Sequence, residues 1–176
     1  MKILLTLLVF LFLTDAVDFE INQENGQITV LGTSSVHDWE SDVTKFSISG
    51  NMGVETINNL KVVIPVISIE SGKDIMNDKT FEALKHKKHP NLIFESAQLA
   101  LEGSNVAGEG ELTIAGVTKT ISIQGQIVSQ TTTQANIQGK VDLKMSDYGI
   151  EPPTAMFGSL KTGNEVTIQF NLSIPK

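Results

Sequence analysis

Apolar residues return at every second position through much of the chain after Asp18, and this alternation limits the fold more than any other feature. In the last such run Val166, Ile168, Phe170, Leu172 and Ile174 alternate with Thr167, Gln169, Asn171 and Ser173. Another sets Ile137, Val141, Leu143 and Met145, with Gly139 on the same side, against Gln138, Lys140, Asp142 and Lys144. A third opposes Ile121, Ile123 and Ile127 to Ser122, Gln124 and Gln126. Leu112 and Ile114 alternate with Glu111 and Thr113, and Phe46 and Ile48 with Ser47 and Ser49. Successive side chains of a strand point to opposite faces, so each run is a strand with one dry and one wet side. Reversals are expected at Glu24-Asn25-Gly26, Ser49-Gly50-Asn51, Ile57-Asn58-Asn59, Glu102-Gly103-Ser104-Asn105 and Ala115-Gly116. The short intervals predict antiparallel hairpins, because parallel pairing needs long crossovers. One-sided strands must hide their dry faces, so an all-β barrel or sandwich is expected.

The rest of the composition narrows what such a protein could do. With 176 residues, 40% of them hydrophobic and 19% charged, the chain is expected to fold as one domain. Its formal net charge is −7, and all 13 basic residues are Lys. An acidic chain without Arg lacks the bidentate fork for phosphates and the cation density that nucleic-acid binding needs. The absence of Cys removes disulfides, thiol catalysis, iron–sulfur clusters and Cys-type zinc sites. At the N-terminus, Met1-Lys2 precedes an apolar run from Ile3 to Leu13 broken only by Thr6. That run falls short of the roughly 20 residues that span a bilayer. It reads as a signal peptide over residues 1–16, cleaved after Ala16, leaving a periplasmic or secreted domain over 17–176.

One stretch departs from the strand pattern. Asn77 through His86 has helix-forming composition, and a short helix is expected around residues 77–88 with Asn77 as its N-cap. Phe81 and Leu84 then share a face, Lys85, Lys87 and Lys88 complement the helix C-terminus, and His89-Pro90 ends it. His86 and His89, with distant His37, are the residue types of a metal site. No carboxylate has matching spacing, so no metal is expected. Ser34, Ser35, His37 and Asp38 are the residue types of a hydrolytic triad. Strand alternation turns Asp38 away from Ser35 and His37, and no strand–elbow–helix context surrounds a nucleophile, so no catalytic residue is assigned. Pro152-Pro153 holds an extended loop in which Met156 and Phe157 present adjacent apolar groups, as expected of a plug or a ligand entrance.

The stretch Ile67-Ser68-Ile69-Glu70-Ser71-Gly72, then Met76 through Pro90, then Asn91-Leu92-Ile93-Phe94-Glu95-Ser96, resembles the middle of the YceI-like family. Gly110-Glu111-Leu112-Thr113-Ile114-Ala115-Gly116-Val117-Thr118-Lys119 is similar to its most specific motif, G-x-L-x-I-x-G-V-T-K. Met156-Phe157-Gly158 and Glu165 through Phe170 are similar to the family's end, so the resemblance runs from about Asp18 to Ile174. It implies an extended, lipocalin-like antiparallel barrel that holds a long isoprenoid chain or a polyprenyl quinone and catalyses nothing. One departure is local: the family's second strand commonly opens with a His-Ser pair, whereas Thr33-Ser34-Ser35-Val36-His37-Asp38-Trp39 stands here. A ligand contact made by that pair therefore does not carry over.

Together these readings predict an extended eight-stranded antiparallel β-barrel with one short helix. Phe46, Ile48, Val62, Ile64, Phe94, Leu112, Ile114, Ile121, Ile123, Val141, Leu143, Ile168 and Phe170 are expected to line its lumen. Trp39, Phe81, Leu84, Met156 and Phe157 are expected at its mouth. The expected partner is an apolar lipid, isoprenoid-like or fatty, carried or stored by a monomer or homodimer, with an envelope protein as candidate client and no cofactor beyond that lipid. The alternative is a structural or interaction protein of the cell envelope whose barrel is filled by side chains. Alternation alone does not separate the two, since both need a dry interior.

Overall fold

The computed structural model describes residues 16–155 and 159–176. Met156, Phe157 and all of the expected leader except Ala16 lie outside the described residues. The chain forms β1 (Val17–Asn22), β2 (Gly26–Ser34), β3 (Trp39–Val43), β4 (Ser47–Met52), β5 (Thr56–Pro65) and β6 (Ile69–Glu70). A helix, α1 (Asp74–Ala83), follows, then β7 (Asn91–Glu102), β8 (Asn105–Ile114), β9 (Val117–Gln130) and β10 (Gln134–Lys144). The two-residue β11 (Thr154–Ala155) and the long β12 (Leu160–Pro175) complete it.

The strands belong to one antiparallel sheet in the order β1-β4-β5-β7-β8-β9-β10-β12-β2-β3-β6, with β11 paired only to β12. The expectation of eight strands is therefore corrected: eleven follow one another in this order, and the ladder is a curled sheet with two ends, β1 and β6. The extra strands come from interruptions. A 3-10 turn at Gln23–Asn25 separates β1 from β2, and Thr44–Phe46 separates β3 from β4. Despite both breaks, β1 pairs with β4 (Val17 opposite Met52) and β2 pairs with β3 (Thr29 opposite Asp42). The two broken runs thus track each other as one bent hairpin. Through it the chain joins the end of the ladder containing β1 and β4 to the end containing β2 and β3.

Three expected reversals are corrected by this arrangement. At Glu24-Asn25-Gly26 the chain makes its 3-10 turn and continues, with Asn22 Oδ1 accepting from the Glu24 amide at 2.9 Å. Ser49-Gly50-Asn51 lies within β4, where the register with β5 slips. Asn58 and Asn59 lie within β5, with Asn59 at φ 50°. Asn and Gly supply unusual backbone geometry, and a strand uses it for a bulge as readily as for a turn. The reversals at Gly103-Ser104 and Ala115-Gly116 stand as expected. The latter links Ile114 to Val117 with both loop residues at positive φ (51° and 84°), as a two-residue hairpin of matching twist requires.

The helix is also shifted from expectation: it runs Asp74–Ala83, with Lys73 in the cap position. Asn77 sits inside it and reaches backward, its Oδ1 accepting from both the amide and the hydroxyl of Ser71 at 2.8 Å. The helix ends before the lysines because Leu84 takes a non-helical ψ and Lys85 adopts φ 54°.

The alternating runs face as their pattern predicts. Ile137 and Leu143 are buried while Gln138, Lys140, Asp142 and Lys144 are exposed; Leu172 and Ile174 are buried along β12. Ile21, Ile48, Ile57 and Val66 are the most deeply enclosed large side chains, each at 2% exposure or less. Two buried serines hold irregular backbone. The Ser68 hydroxyl, hydrogen-bonded at 2.7 Å to the Pro65 carbonyl and 2.8 Å to that of Lys45, ties the corner between β3 and β4 to the turn before β6. Ser96 donates to the Glu109 carbonyl at 2.6 Å, beside the register shift between β7 and β8. A buried carbonyl left unpaired is costly, so such hydroxyls hold the bends in place.

Candidate functional site

The side chains that alternation turns inward are not enclosed to the same degree around the sheet. On β1, β4 and β5, Phe19, Ile21, Ile48 and Ile57 are buried. On β9, β10 and β12, the inward-facing Ile121, Ile123, Val141, Ile168 and Phe170 are packed against the core but only half-buried. Residues that face a core and still keep accessible surface have unfilled space beside them.

Part of that space is a cavity of about 320 Å³ between α1 and the ends of β2, β3, β10 and β12. Val30, Ile69, Leu92, Ile114, Leu143, Ile150, Val166 and Ile168 make an apolar wall, joined by Trp39, Met76, Ala83 and Leu84. Polar residues including Ser34, His37, Ser41, Thr80, Tyr148 and Thr162 also contribute to the lining. An apolar concavity with a few polar groups at its edge is the usual form of a small-molecule site, and this volume lies at the small end of such sites. A second, larger hollow of about 1270 Å³ runs along β9, β10, β12 and β2, where Gln27, Gln124, Gln126, Gln138, Gln169 and Asn171 contribute amides. Its lining mixes these amides with the apolar residues Val106, Ile121, Val141 and Phe170.

Of the residues expected in the lumen, Ile114, Leu143 and Ile168 line the apolar cavity. Phe46, Ile48, Ile64, Phe94 and Leu112 are buried in the core, with Val62, Ile121, Ile123, Val141 and Phe170 packed half-buried against it. Of those expected at the mouth, Trp39 and Leu84 line the cavity. Phe81 instead packs on the core and tilts against His86, with ring centroids 5.8 Å apart. Met156 and Phe157 lie outside the described residues. Val30, Leu92, Tyr148 and Ile150 belong to the cavity without having been singled out from sequence; only their place in the fold brings them there.

The serines and histidines do other work. Ser34 Oγ donates to the His37 carbonyl at 2.7 Å and accepts from the His37 amide at 3.2 Å, closing the turn between β2 and β3. Ser35 Oγ accepts from the Lys161 amide at 3.1 Å. Both are committed to backbone. Trp39 is positioned by its indole N–H, which donates to the Thr33 carbonyl at 3.0 Å. The His89 ring covers the turn after β8: a Cβ on Gly116 would lie 2.6 Å from its Nε2. Among the described residues no three His, Asp or Glu side chains converge on a metal-sized site.

Tyr148, 2% exposed, is part of the cavity wall. Burial pushes its phenol above the ordinary 10.0, and the neighbouring Asp147 carboxylate adds to the rise. The folded state therefore holds this proton more tightly than the unfolded chain. That contribution is fully present below pH 10 and is lost as pH rises beyond it. Tyr148→Phe should flatten the fall of unfolding free energy above pH 10, as measured by urea titrations across the alkaline range. Identical slopes in the two proteins would refute the assignment.

Comparison with known proteins supports the same architecture. The fold of Burkholderia cenocepacia BcnA matches with a TM-score of 0.70 at 20% identity, over 84% of this chain and 95% of that one. A polyisoprenoid-binding domain from Saccharophagus degradans, implicated in plant cell wall breakdown, matches with a TM-score of 0.68 at 14% identity, over 91% and 98%. The YceI protein of Campylobacter jejuni matches at 0.58 and 18% identity, over 68% and 73%. In sequence, a UPF0312 protein of Pseudomonas aeruginosa is 32% identical over 73 residues, which span 39% of this chain and 38% of that relative. The model of the YceI-like domain matches residues 15–174, and the chain belongs to that family.

Proposed function

We propose that this protein binds a lipid with a long apolar chain, isoprenoid-like or fatty, and carries or stores it outside the cytoplasm without transforming it. The observation that carries this reading is the apolar cavity beneath α1, walled by inward-facing strand residues such as Ile114, Leu143 and Ile168. Burying a chain there is favoured by about 0.8 kcal/mol for each methylene removed from water. The similarity in fold to a polyisoprenoid-binding domain agrees with a chain of that type. Export follows from the N-terminal segment: a single Lys and a short apolar run before Ala16. The residues at the cavity bind the chain and exclude water, and the Ser34 and Ser35 hydroxyls are hydrogen-bonded to backbone.

Native mass spectrometry of the protein purified from its own host, followed by solvent extraction, tests both parts. The expected result is a polypeptide beginning at Val17 with an added mass that extracts as an apolar chain. A clean mass, unchanged after incubation with a polyprenyl alcohol, would overturn the binding reading. A retained Met1 would overturn export.

A further inference from the structure

We infer that the wet face of the sheet carries a second binding site, for a neutral carbohydrate chain, along a row of side-chain amides. The ladder sets Gln27 opposite Asn171, Asn171 opposite Gln138, Gln138 opposite Gln126 and Gln126 opposite Asn105, with Glu102 facing Asn105 at the end. The row therefore crosses β2, β12, β10, β9, β8 and β7 without a gap. At the usual spacing between strands it is about 24 Å long. All six residues are exposed, and all six line the larger hollow of about 1270 Å³. That hollow shares no residue with the apolar cavity, and the inference does not rest on the lipid-binding reading.

Elsewhere on this face cross-strand neighbours bond to one another. Asn136 donates to Ser129 at 2.8 Å between β10 and β9, Thr113 and Thr118 are joined at 2.8 Å, and Gln98 donates to Asn58 at 3.1 Å. In the row, among the described residues, only the Gln27 side chain is hydrogen-bonded to the protein, donating to Asp42 at 3.1 Å. The other amides each hold an N–H donor pair and a carbonyl acceptor side by side, and sugar hydroxyls, which both donate and accept, satisfy that pattern. The charges of the hollow narrow the ligand further. They are Glu102, Asp142 and Lys140, and the last two stand 3.8 Å apart, so Glu102 is left to disfavour an anion. The strands beneath the row are paired on both edges, which bars an added peptide strand. A protein interface needs apolar anchors at its centre, and Val128 is the one exposed large hydrophobic among the residues lining the hollow.

The test follows the side-chain amide NMR signals of the full chain, isotope-labelled, as neutral glucose and N-acetylglucosamine oligomers from monomer to hexamer are added. The signals of Gln126, Gln138 and Asn171 should shift, with an affinity that rises with oligomer length and levels off once the row is filled. Gln126→Ala/Gln138→Ala should bind the hexamer about tenfold more weakly, as expected for two hydrogen bonds lost at the centre of the row. Its unfolding midpoint and its affinity for a fatty probe should stay unchanged. Oligomers that shift none of these amides, or that bind the double variant as tightly, would overturn the proposal and leave lipid binding standing. A polyuronate that binds more tightly than the neutral oligomers would overturn it as well. Sedimentation that reveals a dimer dispersed by the double variant would assign the row to a second copy of the chain, and the carbohydrate site would fall.

Discussion

Gly110→Val should destabilise the protein by about 3 kcal/mol, the upper range for overpacking a filled core, and lower Tm by roughly 6–12 °C for a chain of this size. Gly110 is buried on β8, and the Phe94 ring of β7 lies across it. A Cβ there would overlap that ring and sit 2.6 Å from the Glu95 carbonyl oxygen. The ring could turn aside only into a packed neighbourhood, and the carbonyl is held by the ladder. The position opens the G-x-L-x-I-x-G-V-T-K stretch, and the structure gives its two glycines separate reasons: Phe94 over Gly110, and a positive φ beneath His89 at Gly116. Phe170 covers Gly139 in the same manner, across β10 and β12. A urea midpoint unchanged in Gly110→Val would refute the packing account. Partial recovery when Phe94→Leu is added would support it, because the two substitutions share one contact.

The second large effect is expected from Ile168→Trp. Ile168 is half-buried on β12 and lines the apolar cavity beside Val166 and Leu143. If that cavity is where the chain lies, an indole placed there occupies the ligand's room. Affinity for a fatty or prenyl probe should then fall by at least about tenfold, which corresponds to losing roughly two buried methylenes. The unfolding midpoint should move little, because the ring enters space already present. Full lipid binding by the variant would place the chain elsewhere. A large loss of stability would show a filled interior, where added bulk costs about 1–3 kcal/mol.

Alternation made the strands legible wherever one face is dry. Val166 to Ile174 and Ile137 to Met145 read correctly because burial on a strand has period two, and nothing in the tertiary structure competes with that. The turn signals were less reliable. Asn and Gly at 49–51 and 57–59 mark backbone irregularity, and whether it becomes a bulge or a reversal depends on the partner strand. Asn77 misled the placement of the helix because its side chain serves Ser71, a partner that helix-capping patterns do not specify. The extra strands arise in the same way, from bends that leave the periodicity intact on either side. At the candidate site, the aromatic and aliphatic residues Trp39, Leu84, Ile114, Leu143 and Ile168 were visible as apolar groups in need of burial. Val30, Leu92, Tyr148 and Ile150 were not singled out, because nothing in their local pattern sets them apart from other core residues and only the tertiary pairing brings them to the cavity.

The pairing of β2 with β12 has a kinetic meaning as well. Five of the ten adjacent pairs in the ladder (β4–β5, β7–β8, β8–β9, β9–β10 and β2–β3) are consecutive in sequence and close over short loops. Thr29 opposite Gln169 and Ile28 opposite Phe170, by contrast, join the two ends of the chain. Loop-closure entropy must be overcome before such distant contacts reward it, which makes them late and slow to form. In a chain emerging with its N-terminus first, β2 waits with one edge unsatisfied until its last strand arrives. An unpaired edge invites any other extended segment to dock on it. The interval before β12 docks is therefore when this protein is most exposed to aggregation.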